Sequence, residues 1–208
     1  MFAPGAGRFL GPVAAGVALA ALLGVSGLWS PDWAPLALAV GLGGLLVFFA
    51  VFFRDPARTP GAGIVAAADG RVRAVEVEGD RLRISVFMNV TNVHVNRFPL
   101  NATVLEVSAS GKGHRPAYRS DADHNVQRSY RLATDHGPVE VIQMTGLLAR
   151  RLVPFVRSGD RRAKGDRLGM IVLGSRVDVV LPAERVEAAV RIGATVHAGR
   201  TTIARERP

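Results

Sequence analysis

Cysteine is absent from the 208-residue chain, and lysine occurs only at Lys112 and Lys164. Without cysteine the chain has no disulfides, no thiolate metal ligands and no cysteine nucleophile. Aromatic residues make up only 6% of the chain, and no segment interleaves them with basic residues as stacking surfaces for single-stranded nucleic acid do. These absences argue against a disulfide scaffold, a zinc–thiolate domain and a nucleic-acid partner.

Sequence motifs for metals and nucleotides are also missing. The chain has no HExxH, P-loop or GxGxxG motif and no GxSxG elbow, and its histidines are not paired at ligand spacing. These motifs hold zinc, cradle phosphates or present a serine nucleophile. The sequence therefore predicts no metal site and no added nucleotide cofactor. The five histidines are His94, His114, His124, His136 and His197.

Charge is distributed unevenly along the chain. Before Phe53 the only charged residues are Arg8 and Asp32, which leaves 25 basic and 16 acidic residues, and the whole net charge of +9, on residues 54–208. A basic globular part suits an anionic membrane surface as a partner.

Two uncharged apolar runs of 20 residues each occupy the N-terminal quarter, at Phe9–Leu28 and Ala34–Phe53. A helix of about 20 residues crosses a bilayer core, so residues 1–53 are predicted to form a membrane-anchoring helical hairpin. A cleaved signal peptide is the rival interpretation, but a second apolar run directly behind the first argues against it. Buried core helices are disfavoured because neither run has a polar face.

Basic residues flank the hairpin on one side only. Arg8 precedes the first run, Arg54 and Arg58 follow the second, and the intervening WSPDW turn has none. The positive-inside rule then places both ends in the cytoplasm. We therefore expect a protein of the cell membrane whose soluble domain, residues 54–208, faces the cytoplasm.

Short alternating apolar segments punctuated by glycine dominate the rest of the chain. This pattern is typical of a sandwich or barrel of β-strands. One helix is expected at Gly146–Val156, ended or kinked by Pro154. The predicted strands are Gly70–Val77, Arg81–Phe87, Thr103–Val107, Val139–Met144, Leu168–Leu173 and Val177–Leu181.

An internal echo links two glycine-containing segments. The pattern VRxG, five residues, G begins at Val156 and recurs 34 residues later at Val190. Glycine at this interval fits tight turns that need a positive φ. The fold prediction is a mainly β, barrel-sandwich-hybrid-like domain with one short helix, preceded by the transmembrane hairpin.

Two apolar strands meet at a Gly174-Ser175-Arg176 junction. As a bare dipeptide, Gly-Ser is most simply a hairpin turn. The alternative is self-processing, in which the Ser175 hydroxyl attacks the Gly174 carbonyl and an N→O acyl shift gives an ester. Elimination then leaves dehydroalanine, which hydrolyses to a pyruvoyl group. Glycine suits the preceding position because it permits a strained turn and leaves its carbonyl open.

Four segments, in order over residues 51–182, resemble phosphatidylserine decarboxylase proenzymes of the short form. The longest contains the junction, and the others resemble the entry to the soluble domain, an HVNR segment and a helix. Their sequences are RRLVPFVRSGDRRAKGDRLGMIVLGSRVDVVLP, FFRDPARTPG running into AAADGRV, ISVFMNVTNVHVNRFPLNATV, and QMTGLLARR.

The resemblance implies cleavage between Gly174 and Ser175. The products would be a β chain, 1–174, and an α chain, 175–208, held as a heterodimer, with a pyruvoyl cofactor derived from Ser175. Its carbonyl would form a Schiff base with the amine of a serine phospholipid and act as the electron sink for decarboxylation. The implied reaction converts phosphatidylserine to phosphatidylethanolamine and carbon dioxide in phospholipid biosynthesis.

Supporting residues also follow from the resemblance. Asp69 matches the aspartate that pairs with a histidine for self-cleavage in some members, although Asp-Gly is also a common turn. His94 matches an acid–base or carboxylate-binding group. Longer members carry a second histidine where this chain has Arg97, so His94 is open to serving cleavage, decarboxylation or both. Arg97 and Asn96 are candidate substrate-binding residues.

Two other functions stay open from the sequence. A non-enzymatic, membrane-anchored barrel-sandwich adaptor would explain the hairpin and the strands, and it predicts an intact chain. The same decarboxylation could also act on a serine lipid with ether-linked chains, because the chemistry concerns only the head group.

Overall fold

The computed structural model describes residues 1–26, 31, 33–113, 124–146, 151–172 and 175–207, with Ser175 described by its backbone alone. The chain divides into two compact units, Met1–Pro56 and Ala57–Pro208. In the described residues the first unit is helical and the second consists of β-strands and connecting loops.

The first unit is a pair of helices, α1 (Gly7–Ser26) and α2 (Trp33–Phe52). They pack through aromatic rings, with Phe9 edge-on to Phe49 at 6.0 Å between centroids. Both are long and apolar enough to cross a membrane, which confirms the two predicted apolar helices. Residues 29, 30 and 32 of the predicted turn lie outside the described residues, as do residues 27 and 28 at the end of the first apolar run.

The second unit is antiparallel throughout its named strands. These run in three sheets with the strand orders β13-β2-β3-β11-β7-β6-β5-β9, β4-β10-β8 and β1-β14-β12. The strands are β1 (Ile64–Val65), β2 (Gly70–Glu78), β3 (Arg81–Met88), β4 (Val95–Arg97), β5 (Ala102–Ser110), β6 (Gln127–Thr134), β7 (Gly137–Thr145), β8 (Arg151–Pro154), β9 (Arg161–Arg162), β10 (Arg167–Val172), β11 (Ser175–Pro182), β12 (Val186–Ala188), β13 (Thr195–Val196) and β14 (Thr202–Glu206).

Alternation of side chains produces the core of this unit. Val72, Val86 and Val177 face one another across β2, β3 and β11, and all three are buried. Every strand predicted from alternation is present. Leu173, the last residue of one predicted strand, lies outside the described residues. The mainly β class is confirmed. The eight-stranded sheet is open and does not close into a barrel, and the barrel-sandwich arrangement stays a prediction.

The predicted helix Gly146–Val156 is wrong in the part of this segment that the structure describes. Arg151–Pro154 is strand β8, which pairs with β10 in the register Met170↔Val153. Residues 147–150 lie outside the described residues. A strand forms here despite the helix propensity of the segment, because pairing with β10 satisfies its backbone hydrogen bonds. In addition, Pro154 has no N–H to donate within a helix.

The glycines of the VRxG echo adopt the positive φ that their spacing predicts. The φ angles are 90° at Gly159, 87° at Gly165, 88° at Gly193 and 73° at Gly199. The two copies also dock alike: the Gly159 N–H donates to the Val104 carbonyl and the Gly193 N–H to the Val72 carbonyl, both at 2.8 Å. The echo therefore marks two equivalent turns, one against β5 and one against β2.

Candidate active site

The predicted cleavage junction leads directly into a central strand. Ser175 is the first residue of β11, where its backbone lies between Met88 on β3 and Thr145 on β7. Gly174 lies outside the described residues. β11 pairs with β3 from Ser175 to Pro182 and with β7 from Ser175 to Val180, so two neighbouring strands hold the residues that follow the junction.

His94 lies on the other flank of the junction. Its carbonyl accepts a hydrogen bond from the N–H of Ile171 at 3.3 Å, and Ile171 belongs to β10, the strand that leads into the junction. Six residues before His94, Met88 pairs with Ser175. The segment from Met88 to His94 therefore touches the chain both before and after the predicted cleavage site.

The imidazole of His94 is fixed in one orientation. The residue is fully buried, and its Nδ1 lies 2.9 Å from the Asn92 carbonyl oxygen. Because a carbonyl only accepts, Nδ1 carries the proton in this contact. The neutral ring then has its basic nitrogen at Nε2, as a general base requires.

Asp69 forms a buried charge cluster with Arg58. The guanidinium contacts both carboxylate oxygens, with Nη2 donating to Oδ2 at 2.8 Å. The Ala198 N–H donates to Oδ1 at 2.8 Å, and the Nδ1 of His197 lies 3.7 Å from Oδ2. His94 is not among the described partners of Asp69, so the histidine beside this carboxylate is His197.

The pKa of Asp69 reflects these partners. Burial acts to raise the pKa, but the hydrogen bonds from Arg58 and the Ala198 N–H, with the positive charges of Arg58 and His197, hold it below the ordinary value of 3.8. Asp69 is therefore a carboxylate near neutral pH. It joins the segment that enters the domain to the loop at Ala198.

Arg97 is buried on β4 and spans the two echo turns. Its Nη1 donates to the Gly165 carbonyl at 2.9 Å. At Gly199 an added Cβ would lie 3.2 Å from the Arg97 Cδ. Through these contacts Arg97 connects the loop at Gly165 to the loop at Gly199.

Asn96 belongs to a buried polar chain beneath the junction. Tyr130 donates to Gln143 Oε1 at 2.9 Å, Gln143 donates to Asn96 Oδ1 at 2.7 Å, and Asn96 Nδ2 lies 3.6 Å from the sulfur of Met88. Burial raises the pKa of the Tyr130 hydroxyl, which keeps it protonated as a donor. The chain ends at Met88, whose backbone pairs with Ser175.

Sequence reasoning did not identify this polar chain or the cluster around Arg176. Arg176 bonds Asp178 through Nε at 2.8 Å and Nη2 at 2.7 Å, and Arg83 also contacts Asp178, at 3.0 Å. Asp178 is fully buried in an apolar strand. A buried polar residue within an apolar run is the signal that could have flagged both Gln143 and Asp178.

Known proteins match this chain over most of its length. The family model described as phosphatidylserine decarboxylase matches residues 45–204. A putative archaetidylserine decarboxylase proenzyme from Halobacterium salinarum is 43% identical over 190 residues, covering 89% of this chain and 92% of that one. Phosphatidylserine decarboxylase proenzymes from Thermobifida fusca (43% over 172 residues; 82% and 79% covered) and Streptomyces griseus (38% over 208; 98% and 93%) are similar too.

Proposed function

The chain belongs to the phosphatidylserine decarboxylase family, and we propose that it cleaves itself between Gly174 and Ser175 and then decarboxylates a serine phospholipid in lipid biosynthesis. The observation that carries the proposal is the convergence of Met88, His94 and β10 on the residues flanking that junction. The relatives that the chain resembles are proenzymes by name, which supports self-processing.

The proposed cleavage uses only atoms of the chain and water. The Ser175 hydroxyl adds to the Gly174 carbonyl, and the amide nitrogen leaves, so an ester replaces the amide. Loss of the α-proton then expels the Gly174 carboxylate and leaves dehydroalanine. The enamine tautomerises to an imine. Water then hydrolyses the imine and releases ammonia, which gives a pyruvoyl group at residue 175. His94 Nε2 is the base that we assign to these proton transfers.

The residues at the junction fit a pyruvoyl group. It forms from atoms of Ser175 itself, and its carbonyl would condense with the substrate amine and withdraw the electron pair left by departing carbon dioxide. His94 is held with its basic nitrogen at Nε2, ready to move protons at the reacting carbon. Asn96 supports the site through Met88, and Arg97 holds the Gly165 carbonyl in the loop that leads into β10.

The two cleavage chains would stay together as a heterodimer. After cleavage, β11 in the 175–208 chain would keep its backbone pairing with β3 and β7 of the 1–174 chain. Its central position in the sheet supports a stable association, because separating the chains would expose the buried side chains of Val177, Val179 and Leu181 to water.

The substrate is proposed to be a serine phospholipid within a membrane. Residues 1–53 supply two membrane-length helices, and the net charge of +9 on residues 54–208 favours an anionic surface. The flanking arginines Arg8, Arg54 and Arg58 favour a cytoplasmic soluble domain. The similarity to a putative archaetidylserine decarboxylase supports an ether-linked serine lipid as the second candidate.

Ser175→Ala tests the proposed function. The full-length chain in mixed micelles with carboxyl-labelled phosphatidylserine is expected to release labelled carbon dioxide, and the variant none above background, because it lacks the hydroxyl that starts cleavage. Ser158→Ala, at a serine in an echo turn, is the matched control. Carbon dioxide release by Ser175→Ala equal to that of the control would remove Ser175 from the reaction.

A further inference from the structure

A polar cavity of about 490 Å³ opens at the end of the sheet where β11 begins. It is formed by the starts of β2 and β13, the end of β3 and the loop that follows β3. Among the described residues, no carboxylate lines it. Its lining residues are Gly70, Arg71, Arg73, Phe87, Asn89, Thr91, Asn92 and Thr195.

Strand register ties this cavity to the junction. Phe87 pairs with Arg71 on one side and with Arg176, the residue after Ser175, on the other. Adjacent strands lie about 4.8 Å apart, so the backbones of β2 and β11 are roughly 10 Å apart here. Asn92, in the cavity wall, is the residue whose carbonyl oxygen holds His94 Nδ1.

Arg71 and Arg73 give the cavity its charge. Both are exposed, and neither forms an ion pair with a carboxylate in the described part of the chain. A β-bulge between Val72 and Ala74 displaces Arg73 from the regular pairing, and its guanidinium lies 5.4 Å from the centre of the Phe87 ring. Planar guanidinium groups that are not paired with a carboxylate are suited to binding phosphate oxygens.

We propose that Arg71 and Arg73 bind the phosphodiester of the substrate head group in this cavity. The inference rests on the proposed function and names the part of the site that recognises the phosphate. In a serine phospholipid only one oxygen and two carbons separate the phosphorus from the amine. A phosphate held beside Phe87 therefore leaves the amine and carboxylate about one strand spacing from the start of β11, next to the cavity wall at Asn92.

Gly70 explains why the cavity has room at its base. Its φ is 154°, and an added Cβ would lie 2.1 Å from the Phe87 carbonyl oxygen. Only glycine allows β2 to begin this close to β3. The same residue follows Asp69 directly, so the Arg58–Asp69 cluster fixes the start of the strand that bears Arg71 and Arg73.

The test separates phosphate recognition from attraction to a membrane surface. The cleaved, full-length protein in neutral detergent micelles is assayed with glycerophosphoserine, a water-soluble phosphodiester that needs no bilayer. Arg71→Gln and Arg73→Gln are each expected to raise KM about tenfold, the loss of one charge-assisted contact, with kcat changed far less. Arg191→Gln is the control, since it removes the same charge from an exposed site outside the cavity.

Calorimetry supplies a readout that needs no turnover. Glycerophosphoethanolamine is expected to bind the wild-type chain, to bind Arg71→Gln and Arg73→Gln about tenfold more weakly, and to bind Arg191→Gln normally. Ethanolamine, which lacks the phosphodiester, is expected to bind the wild-type chain and all three variants with the same affinity. The cleaved fraction and Tm of each variant report whether it has folded.

Three results would overturn the proposal. They are unchanged KM and binding in both cavity variants, an equal loss in Arg191→Gln, and inorganic phosphate bound as tightly as glycerophosphoethanolamine. A loss of activity on anionic vesicles without a loss on glycerophosphoserine would likewise assign the arginines to membrane docking. If the wild-type chain neither cleaves nor releases carbon dioxide, the proposed function fails, while calorimetry still decides whether Arg71 and Arg73 bind the head group.

Discussion

Asp69 and His94 are both buried, but their partners favour different roles. Asp69 is neutralised by Arg58 and tied to the loop at Ala198, whereas His94 is oriented by the Asn92 carbonyl beside the junction. A carboxylate held in this way contributes chiefly to stability, and an imidazole with its basic nitrogen at Nε2 can move protons. The two residues should therefore respond differently to substitution.

Asp69→Asn is expected to destabilise the domain by about 3–5 kcal/mol, because it leaves the buried Arg58 guanidinium without a counter-charge. Chemical denaturation in detergent measures the loss. Asp160→Asn is the control, since Asp160 pairs with exposed arginines and should cost about 1 kcal/mol or less. Equal stability of Asp69→Asn and the control would contradict a structural role for Asp69.

The same ion pair predicts a pH dependence of stability. The pKa of Asp69 is lower in the folded chain than its ordinary 3.8, so the folded state binds the proton less tightly than the unfolded state. Its stabilisation is therefore complete above about pH 4 and is lost as the pH falls through the folded pKa. Acid denaturation of wild type and Asp69→Asn should converge below that point.

His94→Ala is expected to slow cleavage, decarboxylation or both by about 10²–10⁴-fold, the usual contribution of a general acid–base group. The cleaved fraction over time and carbon dioxide released per cleaved chain separate the two steps. His136→Ala is the control, because His136 contacts Glu206 and lies outside the site. Normal rates for both steps in His94→Ala would exclude His94 from the chemistry.

The sequence predicted which residues belong to the candidate site better than it predicted the contacts that those residues make. The junction and His94 could be named from linear motifs. The partners of Asp69 could not, because Arg58 and Ala198 are 11 and 129 residues away along the chain. The Tyr130–Gln143–Asn96 chain was missed for the same reason: its members meet only when β6, β7 and β4 are assembled.

Among the elements, β10 and β11 come directly before and after the proposed cleavage junction. β10 lies between β4 and β8, and β11 lies between β3 and β7, so both strands that flank the junction are paired on two sides. Short apolar runs predicted these two strands, and both faces of each are buried, from Leu168 to Ile171 and from Val177 to Leu181. Such runs could not predict β8, since the pairing partner of Arg151–Pro154 is not encoded locally.

Gly169→Ala is expected to destabilise β10 by about 1–3 kcal/mol through overpacking. An added Cβ would lie 2.7 Å from the Tyr130 hydroxyl and 2.8 Å from the Val153 carbonyl oxygen. Gly43→Ala in α2 is the control, because nothing lies within 4 Å of its added Cβ. The Tm of each variant measures the change. An unchanged Tm for Gly169→Ala would show that the added methyl group fits beside β10 without a steric clash.

At the scale of the whole molecule, an apolar helical unit is joined to a basic β unit. α1 and α2 expose many large apolar side chains, including Leu22, Leu36 and Val47, as expected of segments that meet lipid. A lipid substrate keeps its acyl chains in the bilayer, so anchoring by these helices would raise the effective concentration of the site at the surface. Hydropathy predicted both helices because neither depends on long-range pairing.

Deleting residues 1–53 is expected to leave a chain that still cleaves itself but decarboxylates serine lipid in vesicles at least about tenfold more slowly. Activity on glycerophosphoserine serves as the control, since that substrate needs no anchor. Equal activity of the truncated and full-length chains on vesicles would contradict the anchoring role of the hairpin.

Self-cleavage after Gly174 is tested most directly by the intact mass of freshly purified, denatured protein. Self-cleavage gives two fragments, 1–174 and 175–208. The smaller fragment is lighter by one ammonia than a peptide that begins with serine, because a pyruvoyl group replaces its terminal residue. A single chain of 22.1 kDa that persists under varied conditions would contradict self-cleavage and favour a non-enzymatic membrane adaptor.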